Sequence, residues 1–294
     1  IIAILFTGGA SAEVGVGAVL GAPFMLSTLA MFVTGVAILA VARRRTTGTE
    51  VLADAQVLAH DVRYFAVAYA LAIATALLPP SLDWVRLIVA AALLSIYAWY
   101  VKAHFEADPD VDAEDLAPLR MHRLDRRAHR ADPTVPRLRI VSAQVGVALA
   151  CILVGAYAFV GAVSALATTL GADAALLALV IAPIATELPE KFNSVIWVRQ
   201  GKDTLALGNI TGAMVFQSTI PTVVAVVFAR KAWHLDQSTL LAFASAGITF
   251  LSMAAIFGPV ARSGRLTGRR LLVGGAFYLV YLGFVLVRLG GGGG

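Results

Sequence analysis

Two glutamates, Glu187 and Glu190, stand three residues apart in Pro183-Ile184-Ala185-Thr186-Glu187-Leu188-Pro189-Glu190, between two prolines at the end of an apolar run. That spacing puts both carboxylates on neighbouring positions of one helical face if the helix continues through Pro189. A proline inside a helix removes a backbone donor and bends or breaks the helix, which frees carbonyl groups. Free carbonyls at membrane depth persist only where they face protein or a watery cavity, and beside a carboxylate they form the oxygen cage that hard cations such as calcium and sodium require. The competing account puts the acids at a helix end in the interface, where charge costs little. It fits Glu187 better than Glu190, because apolar residues run from Leu176 to Ile184 and resume from Val195 to Val198. Lys191 is the group that would neutralise one acid in place of a bound cation.

The elements that must position these acids carry a repeat. Gly17–Thr28 reads GAVLGAPFMLST and Gly208–Thr219 reads GNITGAMVFQST, so both fit GxxxGAxxxxST with a constant offset, 208 − 17 = 219 − 28 = 191. The pairs Gly17/Gly21 and Gly208/Gly212 present small faces one turn apart, which let a neighbouring backbone come close to the site. Asn209, Thr211, Gln217, Ser218 and Thr219 add oxygen-bearing side chains in the second copy. The first copy offers Glu13, Ser27 and Thr28, and Pro23 is expected to break its helix near the middle. Gly-interrupted, repeated membrane helices beside buried acids point to a secondary transporter with its ion site at the repeat interface.

Composition requires a membrane setting. With 59% hydrophobic residues, 14% charged residues and a mean hydropathy of +0.83, the 294-residue chain is too apolar for a water-soluble globule. A hydrocarbon core of about 30 Å needs about 20 apolar residues per helix. Such runs fall at 14–42, 62–79, 84–104, 137–161, 163–188, 203–229, 237–259 and 269–289, with a short piece at 1–9. The fold class is therefore an all-α polytopic membrane protein. The opening Ile1, with no Met before it and no basic leader, suggests that residues upstream are missing.

Alternate loops separate the basic residues. One side carries Arg43, Arg44, Arg45 and Arg63, then Lys102 and the arginines from Arg120 to Arg139, then Arg199 and Lys202, then Arg262, Arg265, Arg269 and Arg270. The other side keeps Arg86, Arg230, Lys231 and Arg288. The positive-inside rule makes the first set cytoplasmic, in the cell membrane, and the net charge of +5 then speaks for orientation rather than for nucleic acid. In the loop 105–136, Asp108, Asp110 and Asp112 alternate like the start of an EF-hand, but Ala113 replaces the turn glycine and Leu119 the bidentate glutamate, so a solvated loop is expected. His104, His122 and His129 are too irregularly spaced to read as a metal cluster. Cys151 has no partner for a disulfide, and Gly290–Gly294 reads as a tail.

At this point the chain resembles the membrane region of the sodium/calcium exchanger family. The family's second repeat carries G-[ST]-S-x-P-E followed by an element like GNxxGSNxxN. Here the corresponding stretches are Ala185-Thr186-Glu187-Leu188-Pro189-Glu190 and Gly208-Asn209-Ile210-Thr211-Gly212-Ala213-Met214-Val215-Phe216-Gln217. Pro189, Glu190, Gly208, Asn209 and Gly212 match. Glu187 stands for the usual serine, Ala213 and Met214 for Ser-Asn, and Gln217 for the last Asn.

The resemblance implies two inverted-topology repeats of about five spans each, with the first span and the start of the second absent from this chain. The organisation expected is a first repeat over 1–104, a cytoplasmic loop over 105–136, a second repeat over 137–289 and the Gly tail at 290–294. It implies an ion site made of Glu190, Glu187, Thr186, Asn209, Gln217 and Ser218, with Gly17, Gly21, Gly208, Gly212, Pro189 and Pro23 shaping the backbone around it. By the offset, the partner of Glu190 would fall just upstream of Ile1.

The function expected is cation antiport by alternating access, moving calcium against sodium or protons, with membrane lipid and inorganic cations as the partners, no cofactor, no nucleic acid and no enzymatic activity. The alternatives are a sodium/proton exchanger on the same fold, an intramembrane enzyme using Glu187 and Glu190 as an acid pair, and a non-transporting scaffold. The enzyme reading lacks an HExxH motif and a nucleophile motif.

Overall fold

The computed structural model describes residues 12–107, 138–170, 187–237, 239–260 and 265–291. Within them the chain is almost entirely helical, and seven helices are long and apolar enough to cross a membrane. The expectations placed on 1–9, on Thr186, on Asp108, Asp110 and Asp112, and on His122 and His129 lie outside the described residues.

The first span is α1 (Ala12–Met25), a π-helical turn (Leu26–Ala30) and α2 (Met31–Val41). Pro23 lies inside α1, and the span widens into the π turn three residues later instead of breaking. A proline cannot donate to the carbonyl four residues back, and one wide turn absorbs the defect. A two-residue strand, β1 (Glu50–Val51), leads to α3 (Ala55–Ala74) and α4 (Asp83–Ala107). α3 begins seven residues before the expected start at 62, because the Asp54 carboxylate caps it by accepting from the Gln56 and Val57 amides.

Two spans were expected at 137–161 and 163–188. One helix, α5, runs unbroken over Leu138–Leu170 across the expected break at 162, and 171–186, which hold most of the second expected span, lie outside the described residues. Gly161 does not end it: a glycine inside a helix costs only about 1 kcal/mol relative to alanine, and no proline occurs between Pro136 and Pro183.

Next come α6 (Leu188–Arg199), α7 (Asp203–Phe228) and α8 (Leu240–Phe257). The chain closes with β2 (Leu266–Thr267), the short α9 (Gly268–Leu271) and α10 (Val273–Gly291). β1 and β2 pair antiparallel, Glu50 with Thr267 and Val51 with Leu266, a short exception to an otherwise helical fold.

Helix α7 is the centre of the packing. It touches α3, α4, α6 and α1, while α8 lies on α1, and α10 lies on α8 and the π turn. The turn before α7 fixes how α6 lies against it. Gly201 adopts φ +75°, the Gly201 amide donates to Val198 O at 3.1 Å and the Lys202 amide to Trp197 O at 2.9 Å. A left-handed glycine that caps a helix in this way reverses the chain tightly, so α6 folds back along α7.

On the face of the bundle that carries Arg43, Arg44 and Arg45, Arg45 grips Asp203 through two hydrogen bonds, Nη1 to Oδ1 at 2.8 Å and Nη2 to Oδ2 at 2.5 Å. The side chains are only 5% and 2% exposed. Arg45 also donates to Val198 O, and the Leu52 amide donates to Asp203 Oδ2. On the opposite face Arg86 is fully buried and donates to Arg230 O at 3.1 Å and to Leu78 O at 3.5 Å, with the His234 ring beside it.

Candidate functional site

The α6–α7 hairpin brings Gln217 to the Glu187 carboxylate and Asn209 to the Glu190 backbone carbonyl. Pro189 sits in the first turn of α6 with Glu187 at the N-cap, so it starts the helix and does not kink it. At that position its missing amide costs nothing, because first-turn amides have no partner within the helix. The sequence left open whether one helical face carries both glutamates through Pro189. Both acids instead lie at the positive end of α6, which favours negative charge.

Gln217 Nε2 donates to Glu187 Oε1 at 3.2 Å, and Asn209 Nδ2 donates to the Glu190 carbonyl at 3.1 Å and to Ser194 Oγ at 3.4 Å. Ser194 in turn donates to Ala206 O at 2.8 Å. Glu190 Oε2 is buried and has no hydrogen-bond partner among the described residues. A buried carboxylate oxygen without a donor is costly, and it is the kind of atom that a cation would satisfy. Lys191, 6% exposed, interacts electrostatically with both Glu187 and Glu190.

The hydroxyls of the two repeat copies behave alike. Ser27 and Thr28 both donate to Phe24 O, and Ser218 and Thr219 both donate to Val215 O, where 24 + 191 = 215. The proton of Ser218 is thus held by its own helix, which leaves only its lone pairs for a ligand. The prolines do not follow the repeat. Pro221 lies in α7 where the first copy has no proline, and the Gln217 carbonyl it deprives of a donor accepts from Thr222 Oγ1 at 2.9 Å.

The glycines serve unequally. Gly17 and Gly21 are buried on α1. A Cβ on Gly208 would meet nothing within 4 Å, whereas one on Gly212 would come 3.2 Å from Tyr100 Oη. The small face of α7 therefore makes room for a side chain of α4.

That tyrosine belongs to a second cluster, which the sequence reading missed. Asp61, 1% exposed, accepts from Tyr100 Oη at 3.0 Å and from Thr211 Oγ1 at 2.5 Å. His104 Nε2 stands 3.6 Å from Asp61 Oδ1. His60, Asp61 and His104 offer ligand atoms that all lie within 4.8 Å of one another. His104, set aside on spacing, thus meets ligands from a different helix. Asp54 was the signal: taken as an N-cap, it extends α3 and places Asp61 two turns inside an apolar helix.

A family model described as sodium/calcium exchanger protein matches residues 141–290. The chain is also similar to a solved structure titled as the crystal structure of the H+/Ca2+ exchanger CAX, with a TM-score of 0.64 and 17% identity over 96% of this chain and 72% of that one. At that identity the likeness is one of fold. No curated protein matches.

Proposed function

The chain belongs to the sodium/calcium exchanger protein family, and from that premise we propose that it is a secondary active antiporter of the cell membrane that moves calcium against a second cation by alternating access. The observation that carries the reading is Glu190 Oε2, buried and without a donor among the described residues at the start of α6, where Gln217 and Asn209 of α7 reach the Glu187 carboxylate and the Glu190 carbonyl. A bare carboxylate inside a bilayer costs about 2.5–3.5 kcal/mol on insertion scales, so Glu190 stays occupied by a metal ion, a proton or the Lys191 ammonium throughout the cycle. Exchange follows from this condition: the empty charged carrier does not cross between inward and outward forms, and one cation leaves only as another replaces it.

Charge balance favours protons as the exchanged ion. Glu187, Glu190 and Lys191 together carry one net negative charge. A divalent cation would reverse it, and release of the Lys191 proton offsets part of that change. Sodium would enter without displacing a proton.

The test is calcium uptake into proteoliposomes under a pH gradient and, separately, a sodium gradient. Glu190→Gln keeps the size of the side chain and removes its charge, and it is expected to abolish the uptake driven by the pH gradient. The parent protein responds to the pH gradient and not to sodium. Parent-level transport by a well-folded Glu190→Gln protein would sink the site. Sodium-driven uptake in the parent would overturn the proton assignment alone.

A further inference from the structure

We propose that His60, Asp61 and His104 form a transition-metal site near the cytoplasmic side of the bundle, separate from the glutamate site. His60 and Asp61 come from α3 and His104 from α4, and their ligand atoms lie within 4.8 Å of one another. Metal bonds of about 2.0–2.2 Å to nitrogen and oxygen place ligand atoms somewhat closer than that, within reach of small side-chain rotations. His104 Nδ1 is buried with no hydrogen-bond partner among the described residues, and Nε2 faces Asp61 Oδ1 from 3.6 Å. No described hydrogen bond therefore has to break for the His104 ring to turn onto a metal.

The carboxylate is already oriented. Thr211 holds Oδ2 and Tyr100 holds Oδ1, the outer-shell support that fixed metal ligands have. The His104 side chain is 42% exposed, which gives an entry path from outside the bundle.

Ligand chemistry separates this site from the transported ion. Calcium takes six to eight oxygens, and two imidazoles with one carboxylate suit zinc, cobalt or similar ions with an open position for water. A metal held there would tie α3 to α4 and, through Asp61 and Thr211, to α7. Two residues before Thr211 on α7 is Asn209, which reaches the Glu190 carbonyl. An ion at His60, Asp61 and His104 thus stiffens the helix that lines the glutamate site.

The experiment uses the tag-free full chain in detergent, with His122→Ala and His129→Ala introduced to remove the loop histidines, stripped with chelator and titrated with Co2+ and Zn2+. Co2+ is expected to give visible absorption bands of inner-sphere imidazole coordination at one equivalent, and Zn2+ to bleach them and raise the thermal midpoint. His104→Gln and His60→Gln should each weaken binding by about tenfold or more while the metal-free midpoint of the half-exposed His104 variant stays near the parent's. Glu190→Gln should leave the Co2+ spectrum unchanged, so failure of the antiport reading would not touch this one. Absence of the bands, or equal Zn2+ stabilisation in the His60→Gln/His104→Gln double variant, would overturn the proposal.

Discussion

Asp203→Ala is the sharpest test of how the face that carries Arg45 is held. In the parent, the Asp203 carboxylate takes both Arg45 Nη groups and the Leu52 amide, and it is 2% exposed in its side chain. Removing it leaves a guanidinium that is 5% exposed with its charge uncompensated, and strips the Leu52 amide of its acceptor. Breaking one partner out of a buried pair costs about 3–5 kcal/mol, whereas an exposed pair contributes about 0–1 kcal/mol. The burial of both side chains puts this pair in the first class. Arg45→Ala loses further bonds to Val198 O, Thr47 Oγ1 and Glu50 O and should cost at least as much. The double variant removes both charges at once, so its loss should fall short of the sum of the single losses by about 2 kcal/mol or more, within the range found for residues in one network. The measurement is a reversible denaturant titration of the purified protein in mixed micelles, run as a double-mutant cycle. Single losses below about 1 kcal/mol, or strict additivity, would refute the claim that burial makes this pair structural.

Gly212→Ala puts a methyl 3.2 Å from Tyr100 Oη and should destabilise by about 1–3 kcal/mol, whereas Gly208→Ala, with open space around it, should be neutral or stabilising by up to about 1 kcal/mol in the same titration. Thr222→Val leaves the Gln217 carbonyl without its donor at a cost of about 1–3 kcal/mol, and adding Pro221→Ala, which restores a backbone amide, should recover part of that loss. In a Cys151→Ala background, a cysteine at Thr46 should resist a membrane-impermeant thiol reagent in intact cells, and one at Lys231 should react; the reverse pattern would invert the orientation.

Much of this was legible because membrane helices obey few rules. Apolar length located the spans at α3, α4, α7, α8 and α10 to within a turn or two. Proline was harder to read. Pro189 begins a helix, Pro23 widens one into a π turn and Pro221 is tolerated because Thr222 replaces the lost donor, three outcomes for one residue type. The same limit hid the continuation of α5 past Gly161, since nothing local distinguishes a glycine that ends a helix from one that continues it. Asp61 escaped because span-finding by hydropathy starts at the first unbroken apolar run. Its partners Tyr100 and Thr211 lie 39 and 150 residues away, distances over which no local pattern speaks.

The segment from Arg45 to Asp54 has a bearing on the order of assembly. Its partners are Val198, Asp203 and Thr204 through hydrogen bonds, and Leu266 to Gly268 through the short ladder and the bond from the Gly268 amide to Thr49 O. Arg45 and Asp203 are separated by 158 residues. During synthesis α2 and α3, on either side of this linker, must therefore enter the bilayer with it unsatisfied, its arginine and strand edge in water. This face of the bundle closes only once Leu266 to Gly268 have been made, so a ribosome stalled before Leu266 holds a chain with its earlier spans inserted and its seam open.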